Sequence, residues 1–323
     1  LIDLQGPVID PLPAAAQPWS MWRYRLALPA ADDDLSWEKV TLGEGMTPLL
    51  PIRPGMWCKC DYVTPTGSFK DRGTAVMLSV ALAAGAHRLV ADSSGNAGRS
   101  IAAYAARAGI QARVFVPAGT EPAKVAAIEA YGAAVTIGGN REEAASAALA
   151  AAAGSWYASH VYRPAFVHGV KTLAFELYEQ LGHTVPGAVV VPAGNGTLVL
   201  GLWLGFRQLQ AAGRLAAVPP IVAAQAERCA PLLGWPPAGP TKAVGIAIAR
   251  PPRLRAARAA VLASGGSVVA VAEEEIEQAV GELTRNGVRV EPTGAVGWAA
   301  CMAGHARRYS LRGPVVAVLT GAG

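Results

Sequence analysis

Thr184–Phe206 reads TVPGAVVVPAGNGTLVLGLWLGF, 23 residues without a charge. That is long enough to span a bilayer. Pro192, Gly194, Asn195 and Gly196 sit at its middle, however, where lipid would offer the freed backbone groups no partner. The stretch therefore divides into a buried strand (Ala188–Val191), a tight polar loop and a buried helix (Leu198–Gln210). A water-soluble α/β protein is expected, and no membrane partner.

The same rhythm of strand, loop and helix recurs on both sides. Arg88–Asp92 reads as a strand, Ser93–Gly98 as a Gly/Ser loop and Arg99–Ala108 as an Ala-rich helix. Gln111–Val116 is a β-branched strand ended by Pro117. Pro122–Tyr131 reads as a helix closed by Gly132, and Ala133–Ile137 as the next strand. Helices are expected at Glu142–Ala153, Val170–Leu181 and Glu273–Asn286, and strands at Pro220–Gln225, Ser267–Val271 and Pro314–Leu319. Strands alternating with helices predict mostly parallel, twisted sheets flanked by helices. Continuously apolar strands such as VVV suit sheets covered on both faces. Ligands of such sheets bind beyond the carboxyl ends of the strands, so the loops there are where chemistry is sought.

Composition agrees with a folded globular chain. Of 323 residues, 52% are hydrophobic and 16% charged, which excludes a disordered chain. The 36 Gly and 24 Pro follow no three-residue period, which excludes collagen. The net charge of +5 is dispersed. Its densest basic stretch, Arg250–Arg258, carries no interleaved aromatics and reads as a solvated loop and helix face, so nucleic acid is not an expected partner. Cys58, Cys60, Cys229 and Cys301 are too few for a disulfide scaffold and form no CxxC pair, so reduced thiols in a cytoplasmic protein are expected. The five histidines make no paired-ligand motif, and no metal is expected. Leu1–Gln17 has neither a basic residue nor an apolar run and does not read as a signal peptide.

Five short segments could carry chemistry. In Thr64–Gly73 (TPTGSFKDRG), Lys70 falls between Phe69 and Asp71 where a helix begins. A helix N-terminus disfavours an ammonium, which would help the amine act as a nucleophile; a surface lysine balanced by Asp71 fits the same residues. Ser93–Gly98 (SSGNAG) would aim several backbone N–H groups at one spot, with Asn96 adding a side-chain donor, or would be a plain turn and cap. Ala193–Thr197 (AGNGT) lacks GxGxxG spacing and a P-loop lysine, so a single phosphate suits it better than a nucleotide. Glu291–Ala295 (EPTGA) alone reads as a turn. Leu319–Gly323 (LTGAG) places Thr320 just past the last strand.

Taken in this order and at these separations, the segments resemble the fold-type II pyridoxal phosphate enzymes, the tryptophan synthase β superfamily, and within it the threonine synthases. Further matches are MWRYR (Met21–Arg25), LGEGMTPL (Leu42–Leu49), IAAYAARAG after SSGNAG, and GVKTLAFE (Gly169–Glu176). The resemblance implies a two-lobed protein with the cofactor between the lobes: a small mobile domain over 68–165, closing over substrate, and a large cofactor-binding domain of 1–67 plus 166–323. It implies pyridoxal 5'-phosphate as cofactor, with Lys70 as the Schiff-base lysine and the base for Cα–H. Phe69 would pack beside the ring, Asn96 would bond its phenolic oxygen, and Thr320 would face the pyridine nitrogen. A neutral hydroxyl there suits elimination and replacement rather than transamination. Gly194, Asn195, Gly196 and Thr197 would hold the cofactor phosphate, and Ser93, Ser94, Gly95 and Ala97 the substrate carboxylate.

Ahead of the GxKT segment the threonine synthases carry Asn and Arg for the substrate phosphate. Here Ser159–His168 reads SHVYRPAFVH, and His160 and Arg163 are the anion ligands on offer, or else solvent-side loop residues. Ala322 stands in place of a usual histidine. The implied activity is a lyase or synthase acting on an amino acid, O-phosphohomoserine plus water giving threonine and phosphate. Serine/threonine ammonia-lyase, β-replacement on an activated serine in specialised biosynthesis, and a non-catalytic binding protein of the same fold are the alternatives. A homodimer is expected from the family.

Overall fold

The computed structural model describes residues 9–13, 18–29 and 36–323. Most of the Leu1–Gln17 stretch judged above for a signal segment lies outside the described residues. In chain order the elements begin with α1 (Ser36–Val40), β1 (Leu49–Arg53), β2 (Met56–Lys59), α2 (Lys70–Ala83), β3 (Arg88–Ala91) and α3 (Asn96–Ala108). Next come β4 (Gln111–Val116), α4 (Pro122–Glu129), β5 (Ala134–Ile137), α5 (Arg141–Ala150), β6 (Trp156–Tyr157) and α6 (Pro164–Gln180). The rest are β7 (Ala188–Pro192), α7 (Thr197–Ala211), β8 (Ile221–Ala226), α8 (Leu254–Ala263), β9 (Ser267–Val271), α9 (Glu273–Arg285), α10 (Pro292–Met302) and β10 (Val315–Val318).

The chain divides into two compact units. One gathers the described residues of 1–24 and 45–63 with 170–323, the other those of 25–44 with 64–169. The boundary falls inside α6.

The larger unit holds a six-stranded sheet in the order β1-β2-β10-β7-β8-β9. All neighbours are parallel except the β1–β2 hairpin, an antiparallel edge that the alternating pattern above did not predict. Ala188–Pro192 is wholly buried, because both faces are covered. Val190, Val222 and Ala224 pack against Ile276 and Leu283 of α9 and Trp298 of α10. The side-chain period of two turns Val189, Val191 and Ala223 to the opposite face. Burial of such valines contributes about 1.5–3 kcal/mol each, so this run is core and not a bilayer span. Among the described residues no helix is long and apolar enough to cross a membrane.

The smaller unit holds a parallel four-stranded sheet in the order β5-β4-β3-β6. Val114 and Val116 pack with Ala102 of α3 and with Val125 and Ile128 of α4 on one face. Val90 and Phe115 meet Ala144 and Ala148 of α5 on the other. Asn140 caps α5, accepting from the N–H groups of Glu142 and Glu143 while Glu143 accepts from Asn140, a reciprocal capping box.

Chain order makes each sheet reverse direction once. In the larger unit β7, β8 and β9 run outward and β10 returns to the other side of β7; in the smaller, β3, β4 and β5 run outward and β6 returns beside β3. Loops leaving the carboxyl ends on either side of such a reversal open a crevice for a ligand. Those loops are Ala193–Thr197 and Leu319–Gly323 in one unit, and Ser93–Asn96 and Ala158–Arg163 in the other.

Candidate active site

Lys70 is the first residue of α2. Its half-buried side chain lies over its neighbour, Nζ 3.8 Å from the Phe69 ring centroid. Phe69 is buried and precedes the helix. The alternative reading, a surface lysine balanced by Asp71, does not describe this environment. Asp71 is fully buried, and its oxygens accept from the Thr66 N–H (2.7 Å), the Thr66 hydroxyl and the Ser100 hydroxyl (2.6 Å). Burial pushes the Asp71 carboxyl above its ordinary value while those donors pull it down.

Asn96 was expected in a loop ending at Gly98, but α3 already starts at Asn96. Asn96, Ala97 and Gly98 therefore form the first turn of that helix, whose N–H groups lack intrahelical partners. The Asn96 side-chain carbonyl oxygen accepts from Arg99 Nη2 at 3.4 Å. Gly67, at φ +79°, lies beside the same guanidinium: a Cβ there would sit 3.3 Å from Arg99 Nη2. Helices α2 and α3 pack side by side, so one unit holds Lys70, Phe69, Ser93, Ser94, Gly95, Asn96 and Ala97 on two adjacent helix N-termini.

The third segment of this unit follows β6. Arg163 donates through Nε to the Tyr157 carbonyl (2.8 Å) and stacks over the Trp156 ring, 4.6 Å to its centroid. The Tyr157 hydroxyl donates to Asp92, immediately before Ser93, at 2.8 Å; burial raises that carboxyl. The terminal nitrogens of Arg163 make no hydrogen bond to any described residue. His160 instead packs edge-on against Phe166, 6.0 Å between centroids. The fold thus orients Arg163, whose guanidinium suits bidentate binding of an oxyanion.

In the larger unit, Gly196 at φ +86° turns the chain from β7 into α7, a left-handed conformation that favours glycine. The Asn195 side chain accepts from the Thr197 N–H at 3.0 Å. Thr197, buried at 1% exposure, leaves its hydroxyl without a partner. A buried unpaired hydroxyl costs roughly 1–3 kcal/mol, which a ligand accepting its proton would recover. An oxyanion before the N-terminus of a 15-residue helix is the fitting ligand. The unpaired hydroxyl and the open helix N-terminus make a cradle that suits a phosphate group, and so fits pyridoxal phosphate.

Sequence reasoning missed the segment that backs this loop. A Cβ on Gly194 would lie 3.1 Å from Ile246 Cα and 3.3 Å from Ile248 Cδ1. The Gly245 N–H donates to the Thr293 hydroxyl at 3.0 Å. Ala243–Ile248 (AVGIAI) carries no polar motif that could have drawn attention to it. EPTGA proves to be the start of α10, not a free turn, and Glu291 N–H bonds the Gly321 carbonyl at 3.0 Å. Thr320 follows β10 and is 4% exposed. Gly194–Thr197 and Thr320 thus occupy the two loops at this sheet's reversal.

The whole of residues 40–321 matches the family model of pyridoxal-phosphate dependent enzymes. The chain belongs to this family. It is 36% identical over 97% of its length to a threonine synthase from Mycobacterium bovis, covering 91% of that protein. A threonine synthase from Methanosarcina acetivorans is 34% identical over 85% of the chain, covering 72% of the relative. Among solved structures, a threonine deaminase from T.th. superposes with TM-score 0.69 at 29% identity, over 85% of this chain and 92% of that one. The cofactor of this pyridoxal-phosphate dependent enzyme is therefore the one the cradle fits. Its activity is that of a lyase or synthase of threonine-synthase type on an amino acid.

Proposed function

We propose that the enzyme converts O-phosphohomoserine and water into threonine and phosphate. The orientation of Arg163 carries the reading: fixed at Nε and on Trp156, it offers its terminal nitrogens to a second oxyanion, which a phosphorylated substrate has. The 36% identity to a threonine synthase over nearly the full chain supports it.

Pyridoxal phosphate, when bound, supplies an aldehyde for amines and an electron sink for charge developing at Cα. We assign Lys70 the covalent attachment and, once its amine is released, removal of the Cα proton. Thr197, with the N–H groups of Gly194, Asn195 and Gly196, would hold the phosphate of the cofactor. Asn96 would donate to its phenolic oxygen, Phe69 would pack against its ring and Thr320 would present a neutral hydroxyl to its nitrogen. Ser93, Ser94, Gly95 and Ala97 hold the substrate carboxylate, and Arg163, with His160 beside it, the substrate phosphate. Residues 68–165 act as the mobile small domain that excludes water during reaction, with 1–67 and 166–323 as the cofactor-binding domain. A cytoplasmic homodimer completes the proposal; the burial of all four cysteines as free thiols supports a reducing compartment.

A second reading, serine/threonine ammonia-lyase, is favoured by the threonine deaminase superposition. One parallel assay separates the two. Phosphate release from O-phosphohomoserine with threonine as product supports the first; keto acid from L-threonine or L-serine without phosphate turnover supports the second.

A further inference from the structure

We infer that Asp71 is a positioning residue for Lys70, acting by tying the Lys70 turn to the helix that opens with Asn96. The inference rests on the assignment of Lys70 above. Three features carry it. Asp71 directly follows Lys70, so its carboxylate is fixed to the same turn of backbone. That carboxylate is 0% exposed, yet its bonds are not spent within α2. Oδ2 accepts from the Thr66 N–H at 2.7 Å, and Oδ1 from the hydroxyls of Thr66 and, at 2.6 Å, Ser100.

Thr66 belongs to the turn that leads into Lys70. Ser100 lies on α3, four residues past Asn96, and its hydroxyl is also 2.8 Å from Thr74 Oγ1 of α2. One anion therefore gathers the entry turn, the N-terminus of α2 and the first turns of α3. Hydrogen bonds to a buried carboxylate are charge-assisted and geometrically demanding, and a displacement of about 1 Å at a reacting group can cost about a hundredfold in rate. The two helix N-termini that bear Lys70 and the Ser93–Ala97 donors are thereby held in register by a residue that touches neither substrate nor cofactor.

Asp71→Asn tests this. Turned one way, the amide sets its nitrogen against the Thr66 N–H, donor against donor; turned the other, it keeps that bond and must donate to the Thr66 and Ser100 hydroxyls. In either orientation the charge-assisted links are lost or weakened. Ser100→Ala cuts only the link to α3 and serves should Asp71→Asn fail to fold. Both variants are measured as holoenzyme at a temperature where thermal unfolding shows them fully folded. The readouts are the absorbance of lysine-bound pyridoxal phosphate, its visible circular dichroism, and kcat and KM for O-phosphohomoserine. The expected result is unchanged absorbance, weakened circular dichroism per unit absorbance, and kcat down about tenfold or more, with KM moving less than about threefold; Ser100→Ala shows the same split in smaller measure. Dichroism and kcat equal to wild type in the folded variants, or kcat falling only with the folded fraction, would overturn the inference. Absence of lysine-bound absorbance in the wild type would instead sink the assignment of Lys70 itself.

Discussion

Gly98 lies so close to Ser93 that a Cβ on the glycine would sit 1.8 Å from the serine's carbonyl oxygen. The chain leaving β3 is thereby folded back against the first turn of α3. The contact is backbone, so no side chain can swing aside to relieve it. Gly98→Ala must displace the Ser93–Asn96 turn, at a cost of about 1–3 kcal/mol for forced overpacking. A lower melting temperature is expected, together with a fall of more than about tenfold in kcat/KM, since a displacement of about 1 Å near the reacting groups costs on that order. Full activity in this variant would mean that the turn takes no part in binding substrate.

Thr197 makes the opposite kind of prediction. Its hydroxyl is buried and unpaired in the protein, so Thr197→Val removes an unsatisfied group without changing shape. The cofactor-free variant should be at least as stable as wild type. Its affinity for pyridoxal phosphate should fall about tenfold or more, the worth of about 1.5–3 kcal/mol for a hydrogen bond to a charged group. Fluorescence titration of apoprotein with the cofactor checks the affinity, and thermal denaturation the stability.

Arg163→Gln removes the oriented guanidinium while leaving a polar side chain. KM for O-phosphohomoserine is expected to rise about tenfold or more, in line with loss of a charged hydrogen-bonding partner, with little change in KM for L-threonine as an ammonia-lyase substrate. Equal effects on phosphorylated and unphosphorylated substrates in steady-state assays would return Arg163 to the role of a loop residue.

Much of this architecture can be read from the chain because its signals are local. Ala188–Pro192 and Gln111–Val116 are short β-branched runs, and Gly109 ends α3 in a left-handed conformation at φ +68°. The β1–β2 hairpin was not legible, since Leu49–Lys59 lacks clean alternation and contains Pro51 and Pro54. The first six residues of α6 were also missed, and the reason is tertiary. Gly169 belongs to the helix because it packs against α2, where a Cβ would lie 2.0 Å from the Arg72 carbonyl oxygen. Gly73 faces the Phe166 ring in the same contact. Glycines that look like breakers in sequence are here sites of close helix approach. The Asp71–Ser100 link spans 29 positions, and no spacing rule points to it.

Lys171 gives a pH signature of the fold. It is 2% exposed, and burial pushes its ammonium down to about 7 from 10.5. Between those values the unfolded chain binds a proton that the folded chain does not, so stability should rise with pH through this window. Below about 7 both states are charged and the folded state bears the whole desolvation cost. Lys171→Met should flatten the rise: the melting temperature of the variant minus that of wild type should be larger at pH 6 than at pH 10. A difference independent of pH would show that Lys171 stays charged in the folded protein.

Lysine identity is the decisive point. Lys59 is buried as well, but its ammonium bonds the Thr47 carbonyl at 2.6 Å and Gln180 at 2.8 Å, with Glu176 at 3.4 Å. Lys171, with its depressed value, would be the better amine nucleophile on acidity alone. Borohydride reduction of the pyridoxal-phosphate-loaded protein, followed by mass mapping of its peptides, distinguishes the three directly. The pyridoxyl adduct is expected on Lys70; an adduct on Lys171 or Lys59, or none, would contradict the assignment of Lys70.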